Sequence, residues 1–303
     1  MRIRAHQQDV KRNWQREGGN AAMTVVEAVK KYLWIFIKYF SMAFFSFIAL
    51  LPVVSCIITA FKTETEYQNT NVMTPPESWL NFDNFIDAFR RANMGRAFIN
   101  SAVIVFFVVI GSVLVGSMIA YVLNRFKFPG NGLIRSLFLF ATLLPGIAMQ
   151  ISTYQLMYTI GFIDHLYGYI ILMMGTDVIS IYIFIQFFEN ISVSLDESAY
   201  MDGASYFTIF FKILFPLLKP AIVTCMILKG VGVYNEYYSA QLYLIDKDLK
   251  TVAISLYTFT GPLGSQYNLI CAGVIISLIP ALVIFLAFQK QIYSGLTAGA
   301  VKG

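Results

Sequence analysis

Three ionisable side chains stand inside long apolar runs of this sequence: Asp177, Lys229 and Glu236. In bilayer hydrocarbon each costs on the order of 2.5 to 3.5 kcal/mol at the centre of a span, so such residues usually face a cavity or a partner. Lys229 and Glu236 recur on one face of the same apolar run, with Gly232 between them and Tyr234 and Asn235 alongside. The chemistry this set offers is passage of a polar solute. A carboxylate and an amide hydrogen-bond hydroxyls, while an aromatic ring stacks on the apolar face of a sugar. Two other uses stay open: an ion pair that only fixes packing, and coupling sites for an ion gradient.

Other chemistries find no residues. No G-x-x-x-x-G-K-[ST] occurs, and Gly230-Val231-Gly232 lies within an apolar run rather than between a strand and a helix, so a phosphate-binding loop is not expected. No serine, histidine and acid fall in an elbow context, so hydrolase chemistry has no support. Cys56, Cys225 and Cys271 are odd in number and dispersed in apolar runs, and the histidines are His6 and His165 alone, which argues against disulfides, metal and any cofactor. The net charge of +5 comes without a basic stripe interleaved with aromatics, so no nucleic acid is expected as a partner.

The long polar and apolar mixture at 196–220, DESAYMDGASYFTIFFKILFPLLKP, reads as helix, sharp turn, helix. Asp196, Glu197 and Asp202 put negative charge at the start of a short helix, where its dipole favours it, and Gly203 accepts positive φ. Phe207, Phe210, Phe211 and Leu214 then recur at helical spacing, and Pro216 and Pro220 are expected to close the segment. A short helix presenting a small-residue turn suits docking into a cleft. On periodicity alone it would equally serve as an interfacial connector.

The elements that hold these residues are membrane spans. At 303 residues the chain is 57% hydrophobic and 13% charged, with a mean hydropathy of +0.65, too apolar for a soluble domain of that length. The apolar periodicity predicts an all-α membrane protein with six transmembrane helices, at 33–61, 98–123, 133–158, 166–188, 221–245 and 268–288. The run from Trp34 is too long for the core of a cleaved secretory signal. A basic leader occupies 1–32, an extracytoplasmic segment with an interfacial helix 62–97, a five-span core 98–288 with the 196–220 loop inside it, and a tail 289–303. Arg2, Arg4, Lys11, Arg12, Arg16, Lys30 and Lys31 precede the first span, and Arg125, Lys127 and Arg135 crowd the next inner turn. Cytoplasmic segments carry such an excess, so both termini and the 196–220 loop are expected in the cytoplasm.

Glu197-Ser198-Ala199, then Gly203, Ile213 and Pro216, resemble the EAA loop of the permease subunits of bacterial ATP-binding-cassette (ABC) importers. Asp202-Gly203-Ala204 and the Pro216 to Pro220 ending resemble the carbohydrate branch. Ser198 stands where that family usually has its first alanine, and Phe215 where it usually has leucine. Val233-Tyr234-Asn235-Glu236-Tyr237 is similar to a Trp-Asn-Glu-Phe stretch of carbohydrate permeases, with tyrosines in place of the aromatic pair. The end of the chain, through Gly295, Leu296, Gly299 and Lys302, is similar to that of maltose-type (MalG-like) permease subunits. Gly261-Pro262-Leu263-Gly264 resembles the place where such subunits meet a solute-binding protein.

The resemblance runs from about Leu80 to Gly303 and implies a type I ABC importer permease fold. It implies a subunit for carbohydrate import in the bacterial cytoplasmic membrane, itself not an enzyme, that works beside a second, MalF-like permease, an ATPase dimer and an extracytoplasmic solute-binding protein. Glu197, Ser198, Ala199, Asp202, Gly203 and Ala204 would couple to the ATPase, and the tail residues would reach into the ATPase dimer. The rival from another class is a secondary transporter that uses Asp177, Lys229 and Glu236 for ion coupling. Against it, the six spans show no clear internal repeat.

Overall fold

Helix dominates the chain because long apolar stretches in lipid have to satisfy every backbone donor internally. A computed structural model describes residues 2–175, 177–261 and 264–300, with 2–26, 28 and 290–300 as backbone alone. The first helix, α1 (Arg2–Phe61), carries Pro52 within it and is apolar enough to cross a membrane over Val29–Phe61. A capping box starts α2 (Glu64–Asn69): the Glu66 N–H donates to Thr63 Oγ1 at 3.2 Å while the Thr63 N–H donates to Glu66 Oε2 at 2.8 Å.

The other carboxylate oxygen of Glu66 accepts the Glu77 N–H at 2.7 Å. Those donors, Glu77 first and Thr63 second, hold its carboxyl below the usual glutamate range. A depressed carboxylate contributes stability above the unfolded value and loses it as pH falls through the folded one. The protection of the Glu77 and Thr63 amides, taken relative to their intrinsic exchange rates, is therefore expected to persist at pH 5 and to be lost only below the ordinary carboxylate range. Protection lost already at pH 5 would contradict this.

The helix α3 (Asp83–Arg91) follows, with Asp83 in its first turn and Arg90 and Arg91 in its last, both in accord with its dipole. Its packed face carries Asn84 and Ala88, whereas Phe82, Ile86 and Phe89 stay exposed. Asn84 ties three elements together: its Nδ2 donates to Ala60 O and Lys62 O, each at 2.7 Å, and its Oδ1 accepts from Asn268 at 3.0 Å.

The central helix is α4 (Met94–Arg125), uninterrupted over 32 residues. Its small residues admit neighbours closely: Gly116 lies beneath Phe184 and Ser180, and Gly111 beneath Met174. The spans expected at 133–158 and 166–188 are each broken. One is α5 (Asn131–Leu143) and α6 (Gly146–Thr159), bent 105° at Leu144 and Pro145. The other is α7 (Leu166–Met174) and α8 (Val178–Glu189), with Asp177 at the N-cap of α8. Pro145 cannot donate into a helix, which accounts for the first break.

The 196–220 segment begins with α9 (Ser194–Met201) and continues as α10 (Tyr206–Thr208), a π-helical stretch Ile209–Leu214 and α11 (Phe215–Leu217). The two prolines do not end it, contrary to expectation. Pro216 and Pro220 occupy first-turn positions of α11 and of α12 (Lys219–Asn235), where a missing N–H costs nothing, and the chain bends by 77° between them instead. The span expected to reach residue 245 stops at Asn235 and resumes as α13 (Tyr238–Tyr243).

After α13, Asp164 Oδ1 accepts the N–H groups of Ile245 and Asp246 at 2.9 and 2.8 Å. Then come α14 (Val252–Ser255) and a hairpin of β1 (Thr260–Gly261) and β2 (Gly264–Ser265); its tip, Pro262 and Leu263, lies outside the described residues. The last helix, α15 (Tyr267–Ala300), packs on α1, α3 and α12. Three helices are long and apolar enough to cross a membrane, and three bent pairs meet the same test together.

Candidate functional site

The turn after α9 is a Schellman motif, built from local sequence. Ala204 N–H reaches back to Ala199 O at 3.0 Å and Gly203 N–H to Tyr200 O at 3.0 Å, with Gly203 at φ +86°. Only glycine takes that conformation without strain. Ala199 and Ala204, the apolar pair that accompanies this motif, join one cluster with Tyr121, Phe184, Phe188, Phe210 and Leu214. Asp196 and Glu197 lie in the first turn of α9, as expected; Asp202 does not, because it caps the other end.

The rest of the turn faces outward. Glu197, Ser198, Asp202 and Gly203 are exposed, and nothing lies within 4 Å of where a Gly203 side chain would begin. Met201, 85% exposed, and Phe207, 69% exposed, flank them. A charged loop that leaves two large apolar side chains in the open is shaped to be covered. Met201 and Tyr200 were not singled out in the sequence, where a methionine and a tyrosine beside polar neighbours carry no period.

Asp196 turns the other way. Its Oδ2 lies 2.7 Å from Arg125 Nε, and the two side chains keep only 14% and 7% of their exposure. Burial pushes its carboxyl above the usual aspartate range and the Arg125 guanidinium opposes that. Arg125, at the end of α4, is a functional candidate that sequence reading missed, since it looked like one more inner-turn cation.

The apolar-run residues do not converge into one set. Asp177 accepts from the backbone N–H and the hydroxyl of Ser180, the local bonds of a helix cap. Lys229 is half-buried on α12, but Glu236 lies beyond the end of that helix, so they do not share a helix face. The chain breaks there because Glu236 takes an extended conformation and its carboxylate accepts the Ser239 N–H at 2.8 Å, starting α13. Among the described residues the ion pairs are Arg96–Asp248 and Arg125–Asp196, so Asp177, Lys229 and Glu236 do not form the packing ion pair.

Tyr234 donates its hydroxyl to Ser277 O on α15 at 2.7 Å, and Asn235 donates to Val231 O within its own helix at 3.0 Å. Asp177 and Glu236 thus sit at two helix breaks, where irregular backbone at membrane depth is tolerated if it lines a cavity or is buried in protein. Gly295, Leu296 and Gly299 continue α15, while Lys302 lies outside the described residues. Cys56 and Cys271, far apart in sequence, meet in space, with Cys56 Sγ 3.6 Å from Cys271 O across α1 and α15.

A scaffold of apolar helices, several of them broken, with an exposed helix–glycine–helix loop is that of a multi-pass membrane protein. The chain matches the family described as binding-protein-dependent transport system inner membrane component over residues 112–295, and it belongs to that family.

It is 31% identical over 263 residues to the arabinooligosaccharides transport system permease protein AraQ of Halalkalibacterium halodurans, covering 86% of this chain and 94% of that protein. It is 32% identical over 262 residues to the trehalose transport system permease protein SugB of Mycobacterium tuberculosis, covering 84% and 93%. The fold is similar to a chain from the crystal structure of a bacterial ABC transporter involved in the import of the acidic polysaccharide alginate, with a TM-score of 0.73, 20% identity, and 85% and 96% of the two chains covered. The protein is therefore a multi-pass inner-membrane subunit of an ABC importer, and non-catalytic. Ion-gradient coupling through Asp177, Lys229 and Glu236 is not favoured by that membership.

Proposed function

We propose that this subunit forms half of the translocation path of a carbohydrate importer, with six spans, both termini in the cytoplasm and a second, MalF-like permease completing the path. An ATPase dimer docks on Glu197, Ser198, Asp202 and Gly203, with Ala199 and Ala204 holding the turn from beneath, and its closure is delivered there as a rigid-body rotation of the spans. The chain itself hydrolyses no nucleotide. The observation that carries this is the exposed Schellman turn at Gly203, a rigid knob whose inner side is anchored in the α4 and α8 core while its outer side is bare.

An extracytoplasmic solute-binding protein delivers the solute near the β1–β2 hairpin, and reciprocal coupling lets its docking raise ATP turnover. Gly295, Leu296, Gly299 and Lys302 extend toward the ATPase dimer. Asp177, Lys229, Tyr234, Asn235 and Glu236 border the path, with Tyr234 and Asn235 holding its wall by their bonds to Ser277 and Val231. A carbohydrate is favoured because the relatives named above carry arabinooligosaccharides and trehalose, and a third, MelC of Bacillus subtilis, carries melibiose, raffinose and stachyose.

The test is co-purification with the neighbouring subunits, followed by uptake of labelled arabinotriose, trehalose and raffinose into proteoliposomes. Uptake of one of them that needs ATP supports the reading; uptake that follows a proton or sodium gradient without ATP sinks it. Glu236→Ala is expected to lower the wild-type uptake rate about tenfold with assembly intact, since truncating a site's polar group costs roughly 1–3 kcal/mol. Unchanged uptake removes Glu236 from the path.

A further inference from the structure

We propose that Arg125 is a positioning residue that makes the coupling helix α9 a rigid part of the α4 and α8 body, so that a push on the loop moves the spans instead of deforming the joint. The proposal rests on the permease reading above and names how that loop is fastened.

A single guanidinium holds three elements. Arg125 ends α4; its Nη1 donates to Phe188 O at 3.3 Å and its Nη2 to Ile191 O at 2.9 Å, carbonyls at and just past the end of α8; and its Nε faces Asp196 Oδ2 on α9 at 2.7 Å. The last contact is a short ion pair between two largely buried side chains. The guanidinium also lies over the Phe188 ring at 5.8 Å.

Phe188 O already accepts the Ile191 N–H at 3.1 Å, so Arg125 adds a second donor there and a side-chain donor to Ile191 O just past the helix end. Within α9 itself Ala199 is the buried residue, and one methyl is a weak anchor for a helix that has to bear load. Lysine cannot copy the arrangement, because a point charge lacks the planar fork that serves two carbonyls and a carboxylate at once.

A merely structural ion pair makes a different prediction. Replacing a buried pair by apolar residues of similar size is often neutral for stability. If stability were the whole role, the double variant R125M/D196L would behave as wild type. If Arg125 fastens α9, that variant assembles but its joint loosens.

The experiment is performed on the complete complex with its native cysteines changed to serine, and nitroxides placed at Leu195→Cys on α9 and Val122→Cys on α4, both exposed positions. Their separation is measured by pulsed electron resonance, nucleotide-free and trapped with ATP and vanadate. With Arg125 and Asp196 present, one narrow distance is expected in both states. In R125M/D196L and in R125K the distribution is expected to broaden about twofold and to shift with nucleotide, as a locally freed segment does. A distance that already shifts with nucleotide in the unsubstituted pair overturns the proposal, as does a narrow, unshifted distance in R125M/D196L. A double variant that no longer binds the ATPases also overturns it, by showing a role in assembly. Purified wild type that retains no ATPase fails the permease reading instead, a separate result.

Discussion

Gly203→Trp is expected to reduce ATP-driven uptake at least about tenfold while this chain still inserts and binds its partner permease, the loss corresponding to roughly 1.4 kcal/mol or more of coupling free energy. Two effects add. Any L-residue held in the left-handed region costs about 1–2 kcal/mol, and asparagine, which tolerates that region, costs less. The second effect is bulk. Space around Gly203 is open in the free chain, so a large side chain clashes only with whatever covers the loop in the assembly. Gly203→Asn is thus expected to keep most of the uptake and Gly203→Ala to lose part of it, with Gly203→Trp losing ATPase binding as well. Equal uptake by the tryptophan and asparagine variants would remove the docking role from this turn.

The second large effect concerns stability. Gly168→Ala in α7 is expected to lower the thermal midpoint of the purified complex, because a methyl there would lie 2.3 Å from Phe162 O and 2.9 Å from Phe162 Cα. Helix propensity alone predicts the reverse, a gain of about 1 kcal/mol on replacing glycine by alanine. Packing wins because the obstacle is backbone that cannot swing aside. The turn it belongs to is pinned by the Phe162 N–H on Met157 O at 2.8 Å and the Asp164 N–H on Tyr243 O at 2.9 Å. Overpacking of this kind costs about 1–3 kcal/mol. Gly232→Ala, on α12 with nothing within 4 Å of the added carbon, is the control and is expected to hold or raise the midpoint. A Gly168→Ala midpoint as high as that of the control would refute the steric argument.

Legibility differed between the two candidate regions for a physical reason. The Gly203 turn is local: a Schellman motif is closed by hydrogen bonds within six consecutive residues, so Gly203, Ala199 and Ala204 are readable from their order. The Lys229 and Glu236 pair was misjudged because helical spacing presumes an unbroken helix. The Ser239 N–H, captured by the Glu236 carboxylate, ends α12 before that face is complete. Asp202 failed similarly, since acidic residues favour a first turn but nothing in composition says which end of a short helix they occupy. Pro216 and Pro220 looked like stops because proline's missing donor is costly inside a helix; at first-turn positions it is not, and a bend between them kept the chain helical.

Composition and order by themselves determined that this is an apolar helical membrane chain with a glycine-bent loop between its apolar helices. These follow from transfer free energies and local dihedral preferences, which are properties of consecutive residues. Only the tertiary structure decided that Asp196 turns inward to Arg125 while Glu197 faces out, that Cys56 meets Cys271, and that Asp177 and Glu236 cap helix breaks. Those contacts join residues on different elements or depend on where a helix ends, and their energies arise only once the helices have packed and excluded water between them.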